Sequence, residues 1–453
     1  MQNYYFIGIG GIGMSALARY FHTKGHLVSG YDRTRTPLTQ ALEAEGMNIT
    51  YCQDVEAIPN DFLQKEKTHV IYTPAIPAEH PQLCYFQTEG FELKKRSEVL
   101  GDITRSARGL CVAGTHGKTT TSTILAHLLH QSKVDCNAFL GGISQNYKTN
   151  LLLSAKSDFV VVEADEYDRS FHRLSPHMAI ITTADPDHLD IYGDEAGFRE
   201  GFEHFTSLIS ENGALVMHKN VDLKPRLQNG TKLYSYSENE GDFHAENICI
   251  ANGEITFDFV TPDTTICNLK LGVPVKINIE NSVAAMAVAW LCGVTEAELR
   301  AGIASYQGSH RRFNVLVKNE QTVLIDDYAH HPTELHASIS SIKALYPDKK
   351  ITGVFQPHLF TRTRDFMEGF AHELSQLDKV ILLPIYPARE LPIEGVNSEA
   401  LLELIQNEHK ILCPKENLVT LLANEKNEVI VTLGAGDIDA EVPKIKEMLL
   451  KFI

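Results

Sequence analysis

The sequence has no Cys-x-x-Cys pair: its eight cysteines, Cys52, Cys84, Cys111, Cys136, Cys249, Cys267, Cys292 and Cys413, are scattered along the chain. That scatter argues against a zinc knuckle or a disulfide framework and fits a reducing compartment. Basic charge is also scarce, with 41 Lys and Arg against 58 Asp and Glu and a net charge of -17. Nucleic acid and anionic membranes are therefore not expected partners. Long hydrophobic runs are missing too. The most apolar stretch, residues 284–294, falls far short of the ~20 residues a membrane span needs. Neither the basic nor the apolar part of a secretory signal stands at the N-terminus, so a cytoplasmic protein is the expectation.

What is present is ordinary globular material: 43% hydrophobic and 22% charged residues in 453. That suits two or three domains with sizeable cores. Apolar strands alternate with helical periodicity, which predicts an α/β fold with mostly parallel sheets covered by helices. Strands are expected at residues 4–7, 26–32 and 69–72, then 109–113, 159–162 and 179–182. A third series follows at residues 323–325, 351–355, 380–383 and 429–432. The polar stretch at 213–275 reads as an antiparallel excursion, and an Ala-rich helix follows at 279–291. The expected domains are 1–105, 106–308 and 309–453.

Two glycine turns carry the sharpest signals. Gly114-Thr115-His116-Gly117-Lys118-Thr119 stands between a buried strand and a helix. Glycines let backbone N–H groups wrap a phosphate, the helix N-terminus adds positive potential, and Lys118 reaches the terminal phosphates. The Thr119 hydroxyl is then the expected magnesium ligand. The longer phosphate-loop spacing is not met, because Val112 stands where its first glycine would be. Gly8-x-Gly10-x-x-Gly13 follows the first strand, and Asp32 closes the second strand 19 residues later. That pattern suits a dinucleotide or a diphosphate-sugar, with the acid on a ribose hydroxyl; a bare strand-to-helix turn has the same shape.

Other candidates sit at strand ends, where open α/β sheets bind ligands. Glu163 ends an apolar strand as a metal-binding carboxylate or a surface acid. His188 in Asp185-Pro186-Asp187-His188 reads as a metal ligand or a capping residue. Asp326-Asp327-Tyr328-Ala329-His330-His331-Pro332 places acids beside histidines, which invites a general base or a hydrolase, though no Gly-x-Ser-x-Gly elbow accompanies it. His358, Arg362 and Arg364 follow the next strand and suit a grip on a carboxylate or phosphate.

In order, these motifs resemble the Mur ligase family over essentially the whole chain. The likeness rests on Ile7-Gly8-Ile9-Gly10-Gly11-Ile12-Gly13-Met14, Gly114 to Thr120, Glu163-Ala164-Asp165-Glu166 and Asp187-His188-Leu189-Asp190. It continues through Asn278-Ile279-Glu280-Asn281, His310-Arg311-Arg312-Phe313, Asp327 to Pro332 and Gly434-Ala435-Gly436-Asp437. The resemblance implies a Rossmann-like UDP-sugar domain, a central phosphate-loop ATPase and a Rossmann-like C-terminal domain. It implies ATP-dependent joining of L-alanine to the carboxylate of UDP-N-acetylmuramate through an acyl phosphate, in peptidoglycan precursor synthesis. By the same resemblance, Gly8, Gly10, Gly11, Gly13, Met14 and Asp32 hold the UDP-sugar. Gly114, Thr115, His116, Gly117, Lys118, Thr119, Thr120, Asn278, Asn281, Arg312 and Asp327 hold ATP, the last pair by domain closure. Thr119, Glu163 and His188 hold magnesium, expected as two ions. Tyr328, His330 and Arg362 bind the amino acid, with Lys118, His330 and Arg362 catalytic. A monomer or homodimer is expected.

Two departures stand out. No lysine occurs between Lys156 and Lys219, where other Mur ligases carry a carbamylated lysine; the alanine-adding member lacks it. Leu359 stands where an arginine is usual, so Arg364 or Arg389 becomes a substitute for part of the carboxylate grip. The alternative functions are a muropeptide-recycling ligase that adds a tripeptide and, from another class, a nicotinamide-dependent oxidoreductase reading the first glycine turn.

Overall fold

Every strand that ends in one of the glycine turns is a buried apolar run, and each sits in the interior of a sheet. The computed structural model describes residues 2–186, 189–251, 253–388 and 390–451. In the first sheet, β1 (Asn3–Ile7), β2 (Leu27–Tyr31), β3 (Asn48–Thr50), β4 (Thr68–Tyr72) and β5 (Glu92–Lys95) lie in the order β3-β2-β1-β4-β5, all parallel. Helices α1 (Ile12–Thr23), α2 (Pro37–Ala44), α3 (Pro81–Thr88) and α4 (Arg96–Arg105) connect them. Pro37 fits the first turn of α2, and Thr36 and Thr39 close a reciprocal cap there. Because the chain leaves β1 toward β2 on one side and later returns to β4 on the other, the loop after β1 opens at a topological switch point.

The second sheet repeats that logic. It contains β6 (Arg108–Ala113), β7 (Asn137–Phe139), β8 (Leu151–Leu152), β9 (Phe159–Ala164), β10 (Pro176–Ile181), β11 (Ala214–His218) and β12 (Lys232–Tyr236). Their order is β12-β11-β10-β6-β9-β7-β8, with β6 between β10 and β9 and only β7 and β8 antiparallel among the pairings described. Helix α5 (Lys118–His130) leaves β6, and Thr121 through Leu129 are buried along it. Helices α6 (Leu189–Tyr192) and α7 (Glu195–Ser207) lead into β11.

The structure corrects the expected antiparallel excursion at 213–275. Its first part, β11 and β12, extends the parallel sheet instead, because Ala214, Leu215 and Val216 are apolar and buried like any central strand. Only β13 (His244–Ala251), β14 (Glu254–Val260) and β15 (Thr265–Lys270) form a separate three-stranded sheet. Helix α8 (Lys276–Leu291) buries Val283 through Ala289 completely, as an Ala-rich helix without a polar face must. Helix α9 (Glu296–Ser305) starts at a Thr295–Glu298 capping box.

The last sheet holds β16 (Asn314–Lys318), β17 (Val323–Asp327), β18 (Ile351–Phe355), β19 (Lys379–Leu382), β20 (Lys410–Leu412) and β21 (Val429–Leu433). The order is β16-β17-β21-β18-β19-β20, parallel except for β16 against β17. Helix α10 (Pro332–Leu345) carries Pro332 at its first position as expected, and α11 (Phe360–Leu374) follows β18. Helices α12 (Ser398–Leu404), α13 (Leu418–Ala423) and α14 (Val442–Lys451) complete it. The chain divides into two compact units. One takes Met1–Glu246, Asp258–Cys267 and Glu280–Tyr306; the other takes Asn247–Phe257, Asn268–Ile279 and Gln307–Ile453.

Candidate active site

In the first unit, the turn after β1 is held shut by backbone bonds. Gly8 and Ile9 both donate to Tyr31 O, at 2.8 and 3.0 Å. Gly8 has φ 88°, a left-handed conformation that a side chain would strain. Asp32 accepts from the Gly10 N–H at 2.8 Å and from the Thr34 N–H at 3.1 Å, so it organises the turn itself. A Cβ at Gly10 would stand 2.6 Å from Thr39 Cγ2 and 2.8 Å from Asp32 Oδ2. At Gly13 it would stand 2.7 Å from Arg96 Nη1, which places a guanidinium over the glycine turn. Gly11, Gly13, Met14 and Arg96 line a cavity of about 260 Å³ whose far wall includes Gly141 and Glu163.

The turn after β6 has the shape a phosphate cradle needs. Gly114 and Gly117 have φ of 135° and 81°. Thr182 Oγ1 donates to His116 O at 2.5 Å, the His116 N–H donates to Thr183 Oγ1 at 3.0 Å, and Thr115 Oγ1 donates to Asp185 O at 2.7 Å. A Cβ on Gly114 would fall 2.0 Å from Thr182 Oγ1, and one on Gly117 would fall 2.8 Å from Asn281 Oδ1. Asn281 also accepts from Thr121 Oγ1 at 3.2 Å, so this asparagine seats directly against the loop. Lys118 Nζ donates to Gly114 O at 2.6 Å and to both carboxylate oxygens of Glu166 at 2.8 Å. Thr119 and Thr120 lie in the first turn of α5. Asn278, in the second unit, donates to Val273 O at 3.3 Å.

Glu163, near the end of β9, accepts from Ser122 Oγ at 3.3 Å and from the Gly141 N–H at 3.2 Å. Burial raises its carboxyl pKa, against the lowering effect of the Thr119 hydroxyl, Lys118 and Ser122. A Cβ on Gly141 would come 2.2 Å from Glu163 Oε1, so the backbone there closes directly on the carboxylate. His188 lies outside the described residues.

In the second unit, a cluster forms where β17 and β18 end. The Phe313 N–H donates to Asp327 Oδ1 at 3.3 Å. Burial pushes Asp327 up to about 6, although Arg312 pulls it down. The guanidinium groups of Arg311 and Arg312 each lie 5.3 Å from the Tyr328 ring centre. His330 Nδ1 lies 2.9 Å from Tyr328 O and 3.2 Å from a Glu334 oxygen. Both neighbours are acceptors, which assigns the proton to Nδ1 and leaves Nε2 as the acceptor. Burial lowers the His330 pKa. Arg362 Nη1 donates to His358 Nδ1 at 3.0 Å, and the His358 ring lies 6.4 Å from that of His330. Leu359, the residue before α11, has φ 71°. Arg364 pairs outward with Asp365 at 2.7 Å, and Arg389 lies outside the described residues. A larger cavity, about 590 Å³, lies near Thr322 and Glu428, at the other ends of these strands and away from every motif.

In the first unit the two glycine turns, Glu163 and Asn281 thus lie together, and in the second Asp327, Tyr328, His330 and Arg362 do, whereas Arg364 turns away and Asn278 lies in the other unit from the loop after β6. The structure adds four that sequence reasoning gave no role: Lys95, Arg96, Asp165 and Glu166. Arg96 pairs with Asp165 at 3.3 Å and Lys95 with Asp168 at 2.8 Å. The available signal was the run of acids after β9, each separated by too few residues to be one helical face.

Models of three Mur ligase parts match in succession: the "Mur ligase family, catalytic domain" over residues 3–108, the "Mur ligase middle domain" over 112–289 and the "Mur ligase, glutamate ligase domain" over 311–436. The chain belongs to the Mur ligase family. It is 57% identical over 452 residues to the UDP-N-acetylmuramate–L-alanine ligase of Phocaeicola vulgatus, covering 100% of this chain and 99% of the relative. The ligase of the same name from Parabacteroides distasonis is 58% identical over 450 residues, covering 99% and 97%. Among solved Mur ligase structures, the UDP-N-acetylmuramate-alanine ligase of Thermotoga maritima superposes with a TM-score of 0.85 at 25% identity over 100% of both chains. A murein peptide ligase from Psychrobacter arcticus shares the fold with a TM-score of 0.70 at 21% identity over 99% of both.

Proposed function

We propose that this Mur ligase joins L-alanine to the carboxylate of UDP-N-acetylmuramate, using ATP and an acyl-phosphate intermediate. One observation carries the reading from geometry: a single cavity in the first unit is lined by the β1 glycine turn on one side and by Glu163, beside the phosphate loop, on the other. A substrate whose diphosphate lies on the first can present its carboxylate to chemistry at the second. The full-length identity to ligases of that activity selects the substrates.

In the first step a muramyl carboxylate oxygen attacks the γ-phosphorus of ATP, and ADP leaves with the electron pair. In the second, the alanine ammonium first loses a proton, the free amine attacks the acyl carbon, the nitrogen loses a second proton, and the C–O bond to phosphate breaks as the amide forms. Two anions must meet in the first step, so charge neutralisation and positioning outweigh any protein nucleophile. Lys118 and the N–H groups of the Gly114–Thr120 loop meet the phosphates, with Asn278, Asn281, Arg312 and Asp327 as further ATP contacts. Thr119 and Glu163 offer hard oxygen donors, and the partly buried Glu163 carboxylate on the cavity wall suits a divalent cation. Magnesium bound there, with His188 as a further ligand, would neutralise charge on the transferring phosphoryl group. Arg362 holds the alanine carboxylate. His330, kept neutral by burial, accepts a proton from the alanine ammonium at Nε2. Gly8, Gly10, Gly11, Gly13, Met14 and Asp32 form the UDP-sugar side. The domain limits 1–105, 106–308 and 309–453 belong to the same proposal.

The test is phosphate release with one substrate omitted at a time. Release that requires ATP, magnesium, UDP-N-acetylmuramate and L-alanine together is the expected result. Release that requires a tripeptide instead of alanine, or NADH oxidation without ATP, would overturn the assignment.

A further inference from the structure

Lys118 is already engaged. Its ammonium has three hydrogens, and three short contacts use them: Gly114 O at 2.6 Å and the two Glu166 oxygens at 2.8 Å. A nucleotide phosphate can reach this ammonium only by displacing a partner. Gly114 O is backbone of the loop itself, which leaves Glu166 as the exchangeable one. We propose that Glu166 is a positioning residue that competes with nucleotide phosphate for Lys118, making ATP entry and ADP departure exchanges of one anion for another. The proposal rests on assigning this loop to ATP.

The pair is built in, not an accident of the surface. The Glu166 side chain is 3% exposed and that of Lys118 16%, so salt screens their attraction little. The backbone that carries this carboxylate is also anchored. Tyr192 Oη donates to Glu166 O at 2.6 Å, the Arg169 N–H donates to the same carbonyl at 3.1 Å, and the Arg169 guanidinium lies 5.0 Å from the Tyr192 ring centre. Asp168 and Arg169, both non-glycine, have φ of 52° and 53°, a costly conformation that the Lys95–Asp168 pair and the Tyr192 contacts maintain. The acids at and after the end of β9 therefore have separate partners: Ser122 and Gly141 for Glu163, Arg96 for Asp165, Lys118 for Glu166. Glu166 is thus held where Lys118 can return to it when phosphate leaves.

The experiment is calorimetric titration of the full chain with Mg-ADP, without UDP-sugar or alanine, in the unaltered protein and in Glu166→Gln. A carboxylate that competes for Lys118 weakens ADP binding, so the variant is expected to lower the ADP Kd about tenfold. A merely structural role predicts weaker binding, the opposite sign. Asp165→Asn makes the same charge change one residue away and is expected to shift the Kd less than about twofold, because Asp165 faces Arg96. An unchanged or raised Kd in Glu166→Gln, or equal tightening in Asp165→Asn, would overturn the proposal. Should Glu166→Gln fail to fold, Glu166→Asp draws the carboxylate back from Lys118: a smaller fall in Kd supports the proposal and a rise overturns it. If the unaltered chain binds no ADP, the ATP assignment fails first and takes this inference with it.

Discussion

In the proposed function Lys118 bears most directly on chemistry, because it is the lysine that the loop after β6 itself supplies. Lys118→Ala is expected to slow phosphate release about a thousandfold, roughly 4 kcal/mol of barrier, since it removes a clamp on transferring charge. UDP-sugar binding, which the proposal places at the turn after β1, is expected to survive in the same variant. Single-turnover phosphate release and a UDP-sugar titration check both halves. In the proposed function Arg362 is the matching residue for alanine. Arg364 is spent on Asp365, whereas Arg362 lies against His358 beside the His330 ring. Arg362→Ala is expected to raise the alanine KM ten- to a hundredfold, roughly 1.5–3 kcal/mol, with the ATP KM little changed. Steady-state kinetics with each substrate varied decides it; an alanine KM unmoved in Arg362→Ala but raised in Arg364→Ala would transfer the role. The turn that holds Lys118 and Thr119 was legible in the sequence because a glycine turn after a strand is a local pattern, and the place of Glu163 because it closes an apolar run. Glu166 and Arg96 were not, since their partners stand 48 and 69 residues away and no spacing rule reports such a pairing.

At the scale of elements, α5 links the phosphate loop to the body of the first unit. His127, on its buried face, lies 2.8 Å through Nδ1 from Tyr147 Oη and 3.0 Å through Nε2 from Ser305 Oγ, at the end of α9. Burial lowers its pKa from 6.5 to about 4. Below about pH 6.5 the unfolded chain therefore binds a proton that the folded chain refuses, so stability is full above that pH and falls as pH drops toward 4. From about pH 7.5 to about pH 5 this one group removes about 2 kcal/mol. Denaturant unfolding at the two pH values is expected to show that much less acid loss in His127→Gln than in the unaltered chain; an identical loss would contradict the buried neutral ring. The central strands were readable as unbroken apolar runs. The short strands β3, β8, β16 and β20 at sheet edges, and β7 next to one, were not, being two to five residues long and defined by their neighbours. The same dependence explains β11 and β12: their composition is that of strands, but only the edge offered by β10 decides that they pair in parallel.

For the whole molecule, the order of motifs along the chain carried the family assignment, while neither glycine turn alone distinguishes a diphosphate-sugar from a dinucleotide. Composition excluded classes of partner but named no substrate. The substrates come from likeness over the full chain, and the order of bond making comes from chemistry: a carboxylate must be activated before an amine can displace its oxygen. That oxygen can be followed. With UDP-N-acetylmuramate labelled with oxygen-18 in both carboxylate oxygens, the enzyme, ATP, magnesium and L-alanine are expected to release inorganic phosphate carrying one labelled oxygen, the other remaining in the new amide. Phosphate released without label, while the amide forms, would contradict the acyl-phosphate account at its centre.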